Sequence, residues 1–179
     1  LSSLTNIRAA CAGPRMGGVR AIYVGLRASN PTPSVDGNLL TFSTFTGNRV
    51  PIKGSFQSVA QVDESTDQKY FRDELAGFFT SPEENGVNAL HDLSSISAED
   101  LVILVETWQD TFYLLGYAWK DAAKTAVIPA PVFFNGGQLM TGTEKADQNG
   151  WNVSLVSVHP FPAAMADVAD FSAITPSTD

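Results

Sequence analysis

Chemistry needs side chains that move protons, attack or ligate, and this chain holds few of them at useful spacing. It has two histidines, His91 and His159, and a single cysteine, Cys11. Ser94, His91 and Asp92 are the residue types of a hydrolytic triad. On a helix, however, Asp92 lies one step from His91 and points elsewhere. No G-x-S-x-G elbow is present either, so a surface histidine is the better reading. His159 precedes Pro160 at the end of a β-patterned run, an ordinary strand terminus. Asp147-Gln148-Asn149-Gly150 is similar to the start of a calcium loop. The twelfth position of such a loop needs a Glu and here is Val158, so a turn is expected. Glu83 and Glu84 sit near a helix start, where the dipole favours negative charge without any catalytic role. Asn152-Val153-Ser154 matches a glycosylation sequon but falls in an expected strand. There is no G-x-G-x-x-G, P-loop or H-E-x-x-H. The expectation is a non-enzyme without catalytic residues, metal or cofactor.

The elements around these residues read mostly as strands. Val19 to Leu26 alternates and predicts a strand. Asn30-Pro31, Pro33 and Asp36-Gly37 mark 28–38 as a loop. A second strand is expected at 39–46, closed by Gly47-Asn48. Residues 55–65 alternate, and 69–79 is expected to return as a paired strand through a turn at Asp67-Gln68. A helical reading of 69–79, from Phe71, Leu75 and Phe78, competes with it. The best helix region is 81–100, with Val87, Leu90 and Leu93 on one stripe. LVILVETW (101–108), the turn Gln109-Asp110 and TFYLLGYAW (111–119) predict a hairpin around a buried strand. A Pro- and Gly-broken connection follows over 123–138, then a strand over 138–146, a turn at 147–150 and a last strand over 151–161. Residues 1–18 are expected to form an N-terminal arm, 19–162 a single β-sandwich domain, and 163–179 an extended C-terminal tail. The fold class is mainly β: an antiparallel β-sandwich or barrel of about seven strands with one short flanking α-helix.

Composition fits a folded chain, with 44% hydrophobic and 17% charged residues over 179 residues, enough for one core without disulfides. With one cysteine, no disulfide forms within the chain and a thiolate metal site is excluded. No run approaches the roughly 18 apolar residues of a membrane helix. The start lacks the apolar core of a signal peptide, so synthesis in the cytoplasm and no membrane insertion are expected. The net charge of −8 is uneven. Residues 1–60 carry Arg8, Arg15, Arg20, Arg27, Arg49 and Lys53 against Asp36 alone, whereas 61–179 hold five basic and 18 acidic residues. Such asymmetry suits complementary surfaces between copies of the chain. No basic stripe for wrapping nucleic acid is present. Sixteen aromatics from Phe42 to Phe161 exceed what one core of this size takes up, so some are expected at subunit contacts.

Three segments carry a resemblance to a known family: GGVRAIYVG (17–25), LVILVETWQDTFYLLGY (101–117) and TGTEKADQNGWNVSLVSVHPFPA (141–163). Over roughly 17–163 the chain resembles phage and prophage structural proteins of Bacteroidetes-type hosts, of the tail-tube kind. The 119–140 segment is longer and richer in Pro than that pattern. The resemblance implies two near-orthogonal sheets with a flanking helix, edge-to-edge joining into a hexameric ring, and stacking into a hollow tube. The implied location is the virion tail, and the implied partners are further copies and other tail or head–tail proteins, with DNA only as passing cargo. An acidic lumen repels phosphate and lets DNA slide. Asp63, Glu64, Asp67, Asp73 and Glu74 are the candidate lumen residues; Arg8, Arg15, Arg20, Arg27, Arg49 and Lys53 are candidate inter-subunit groups. The alternatives are another phage ring component (adaptor, terminator or decoration protein), a contractile-injection tube, a monomeric carbohydrate- or peptide-binding β-sandwich, and a hydrolase with a dispersed site.

Overall fold

The apolar run at 101–105 lies in a strand whose alternate side chains enter two different cores. Leu101, Ile103 and Val105 pack with Val19, Ile22, Ile52, Leu75 and Leu155. Val102 and Leu104 pack with Leu40, Phe42, Phe45, Leu114 and Trp119. A strand covered on both faces has no use for polar alternation, which is why the run reads as continuous. Each such side chain contributes about 1.5–3 kcal/mol by leaving water.

The computed structural model describes residues 18–79, 93–140 and 150–173. Among them the strands are β1 (Val19–Leu26), β2 (Ser34–Asp36), β3 (Leu39–Phe42), β4 (Phe45–Val62), β5 (Lys69–Phe79), β6 (Leu101–Thr107), β7 (Phe112–Leu115), β8 (Tyr117–Trp119), β9 (Val127–Pro129), β10 (Phe133–Met140), β11 (Gly150–His159), β12 (Ala164–Val168) and β13 (Phe171–Ala173). Ten of them follow the order β10-β11-β5-β4-β1-β6-β7-β12-β3-β2, with β13 attached to β4; β8 and β9 form a separate pair. The chain is mainly β, as expected. It has more strands than expected and is not purely antiparallel, because β12 runs parallel to β3 and β13 parallel to β4.

Several expectations match. The strand at Val19–Leu26, the β4–β5 hairpin and β11 are present. The strand reading of 69–79 prevails over the helix because both neighbours, β4 and β11, pair with it. The β6–β7 hairpin forms, but pairing resumes at Thr107/Thr111 and Asp110 adopts φ 58°, so the loop spans 108–110. That is the hairpin class with a left-handed residue before the returning strand.

Other expectations are corrected. Gly47-Asn48 ends nothing, for β4 runs through them. A Cβ on Gly47 would lie 2.7 Å from the Val24 carbonyl oxygen, so this glycine serves close strand packing rather than a turn. The loop at 28–38 contains β2, which turns at Gly37-Asn38 into β3. The strand expected at 111–119 breaks at Gly116, whose φ of 113° redirects the chain into β8. The connection at 123–138 holds β9 and the start of β10; Pro129 is tolerated at the end of a short edge strand. Residues 164–173, expected as a tail, form β12 and β13 in the sheet, with Ala164 and Ala166 buried. Of the expected helix, 93–95 is a helical turn with Leu93 in the core. Residues 81–92, the arm at 1–17 and the segment 141–149 lie outside the described residues.

Register in β1 shifts between Val19 and Ala21. A bulge exchanges faces, so Val19 and Ile22 share one core while Tyr23 packs against the other.

Candidate functional site

Strand parity decides what β5 presents. Phe71, Asp73 and Leu75 share one face; Arg72, Glu74 and Ala76 share the other. In the register with β11, Ser157 lies opposite Asp73 and His159 opposite Phe71, which makes His159 the diagonal neighbour of Asp73. Its Nε2 is 2.6 Å from Asp73 Oδ2, and its Nδ1 is 2.5 Å from the Phe161 carbonyl oxygen. The two side chains are 4% and 0% exposed. A carbonyl oxygen only accepts, so Nδ1 carries a hydrogen. One further proton is then shared between Nε2 and the carboxyl group. Both ring nitrogens are occupied, and neither is left to activate a nucleophile or bind a metal. The pair fastens the β11–β12 crossover to β5. Ser157 adds a bond from its hydroxyl to the Pro131 carbonyl, 2.8 Å. Sequence reasoning missed this pair because 86 residues separate its members. Only the β5–β11 register brings them together.

Asp73, a lumen candidate from the sequence, is instead buried beside His159 and lines no surface; parity puts its neighbour on the other face. Glu74 points to the opposite face and is half-buried. Asp63, Glu64 and Asp67 are exposed in the turn between β4 and β5. The Ser65 hydroxyl and N–H donate to Asp63 Oδ1 at 2.7 and 2.9 Å. These bonds, the hydroxyl's foremost, hold the Asp63 carboxyl below the usual carboxylate range.

The basic candidates divide in the same way. Arg20 donates to Glu106 and, at 2.9 Å, to Asp110, and lies 5.7 Å from the Trp108 ring centre. The bond to Glu106 is the main cause holding the guanidinium pKa above its usual value. Arg49 is 3.5 Å from the other oxygen of Glu106. Arg27 donates to the carbonyls of Glu99, Gly116 and Ala130 at 2.6, 2.8 and 3.4 Å and covers the Tyr117 ring. These three arginines hold their own chain together. Lys53 is exposed on β4, and Arg8 and Arg15 lie outside the described residues. So do His91, Asp92, Glu83, Glu84 and Asp147. No group of three or more potential metal ligands occurs among the described residues.

What the topology assembles instead is a four-stranded antiparallel panel, β10–β11–β5–β4. β1 pairs with β4 only up to Gly54. Among the described residues, no strand adjoins residues 55–62 of β4 on the side away from β5, and none adjoins the outer edge of β10. Val59, Val62 and Phe133 at these borders are exposed. No protein-family model, curated protein or solved structure matches the chain.

Proposed function

We propose that the chain is a virion structural protein of the tail-tube kind. Copies join edge to edge into rings, hexameric by the resemblance noted above, and stacked rings form a conduit for genome ejection. The observation that carries this reading is the panel with two open borders. A free edge is a row of unpaired N–H and C=O groups, and ring closure removes it. Residues 55–62 of one copy and β10 of the next are edges of comparable length, and their addition makes the panels continuous. The sandwich arrangement belongs to the same reading, with the panel as the assembling sheet and the β6-centred strands behind it. Asp63, Glu64 and Asp67 at the hairpin tip, together with Glu74, are the lumen candidates that remain. Inter-subunit cations are then confined to Lys53, Arg8 and Arg15.

Negative-stain electron microscopy across a concentration series tests the proposal. Stacked rings with a central hole are expected, and the double variant Val59→Lys/Val62→Lys is expected to stay dispersed, since lysine blunts edges. Single rings that never stack favour an adaptor or terminator. A uniform monomer at every concentration sinks the self-assembly reading.

A further inference from the structure

The last two strands are attached to the body in the manner of a bound peptide. β12 lies between β7 and β3, antiparallel to the first and parallel to the second. Among the described residues, β3 and β2 join the sheet only through it. Its buried side chains are Ala164 and Ala166, at 2% and 7% exposure. So little apolar area leaves the main chain to supply most of the attachment. β13 then runs parallel to β4 along Phe45–Gly47. The Phe45 N–H donates to the Asp170 carbonyl at 2.9 Å, and the Ala169 N–H to that of Phe42 at 3.1 Å. The one aromatic residue of the segment, Phe171, stacks on Tyr23 at 4.5 Å between ring centres and tilts against Phe112. Backbone ladders for affinity and an anchoring side chain for selectivity are how a strand from one protein is added to the sheet of another.

The connection into this segment is short. His159, fixed to Asp73, ends the part of the chain built into the panel. Pro160, Phe161, Pro162 and Ala163 are all that separate it from β12. The two prolines hold φ and lack an N–H, which makes the connection stiff. Short hinge loops favour exchange of the element beyond them. We propose that on assembly the segment 164–173 is exchanged between copies. β12 and β13 of one copy then fill the slot between β7 and β3, and the strip beside Phe45–Gly47, of the next. Exchange rests on the self-assembly of the proposed tube and adds a second contact to it, since the slot is no part of the panel borders. The slot takes alanine at two alternate positions, a demand that an identical segment meets by construction. Each bond made within one chain is remade between two, so exchange needs only the high effective concentration of copies held side by side.

Disulfide trapping in the full chain tests this. Cys11→Ser removes the one cysteine, and Thr41→Cys/Asp167→Cys is added to it. These two positions are register partners across β3 and β12, and direct partners on neighbouring strands lie close enough for a disulfide. The protein is oxidised after assembly, denatured and run on a non-reducing gel. Covalent dimers and longer multimers are expected in the majority of chains, and internally bridged monomers where oxidation precedes assembly at high dilution. A gel holding only monomers after assembly overturns the exchange. Leu39→Cys/Met165→Cys, partners in the same ladder, reads the same contact should the first pair fold poorly. Electron microscopy of the same samples separates the two proposals. Rings built of monomeric chains sink the exchange alone. Covalent multimers without rings sink the tube alone, and monomers without rings sink both.

Discussion

β6 and β5 are both interior strands of one sheet, yet they are built on different principles. β6 is apolar on both faces and is held by volume: Leu101 to Val105 fill two cores in turn. β5 mixes polar and apolar side chains on both faces. It holds its neighbour β11 through the buried Asp73–His159 pair and carries half-buried Arg72 and Glu74 and exposed Ala76 on the other face. The contrast teaches that one sheet contains a body closed by packing and a panel closed by polar contacts. Among the described residues, the panel has two long strand borders without a neighbouring strand.

The comparison breaks first at Asp73. Asp73→Ala leaves His159 buried without its partner and is expected to cost about 3–5 kcal/mol in denaturant unfolding. Asp73→Asn should recover much of this, because its amide donates to a neutral Nε2 while Nδ1–H stays on the Phe161 carbonyl. Equal losses for the two variants would show that charge, not the hydrogen bond, holds the pair. In the body, Leu104→Ala is expected to cost about 2–5 kcal/mol through the cavity it leaves. A loss below that range would contradict tight packing on both faces of β6. Gly116→Ala comes next, at about 1–3 kcal/mol of backbone strain, read by thermal melting. The φ of 113° disfavours a side chain there, and its Cβ would lie 2.8 Å from the Leu101 carbonyl oxygen.

Panel-edge changes should do little to the single chain. Val59→Lys/Val62→Lys is expected to shift stability by no more than about 0.5 kcal/mol per site while preventing assembly, a split that no body substitution should reproduce. The smallest effect belongs to the hairpin tip. Ser65→Ala should return the Asp63 carboxyl toward its ordinary value, read by carbon-detected NMR titration. Because the folded value is depressed, the stabilisation is complete above the ordinary carboxylate pKa and fades as pH falls through the folded one. The variant should lose that acid-side dependence, and an unchanged titration would show that Ser65 is not its cause.

Local pattern made much of the β architecture legible. Continuous apolar residues at 101–105 announced a buried strand, and alternation at 55–65 followed by a turn at Asp67-Gln68 announced a hairpin. Turn chemistry marked Asp67 and Asp110, both of which adopt positive φ. Glycine was read less well: Gly47 looked like a turn and is a close approach, while Gly116 looked like strand interior and is the break. The segments at 123–138 and 162–173 looked like connection and tail because their strands are short and take their partners from far along the chain.

The sequence by itself determined that the chain is β-rich, where the β4–β5 and β6–β7 hairpins fold, and that charge is unevenly distributed along it. These are properties of neighbouring residues, set by side-chain period and turn preference. Only the tertiary structure decided which charges are spent internally. Arg20, Arg27, Arg49 and Asp73 all looked available, and each is held by groups far away in sequence. Strand order and register, not composition, bring Glu106 to Arg20 and His159 to Asp73. The same register sets Ser55, Ala76, Ser154 and Gly136 side by side in a row that no linear motif contains.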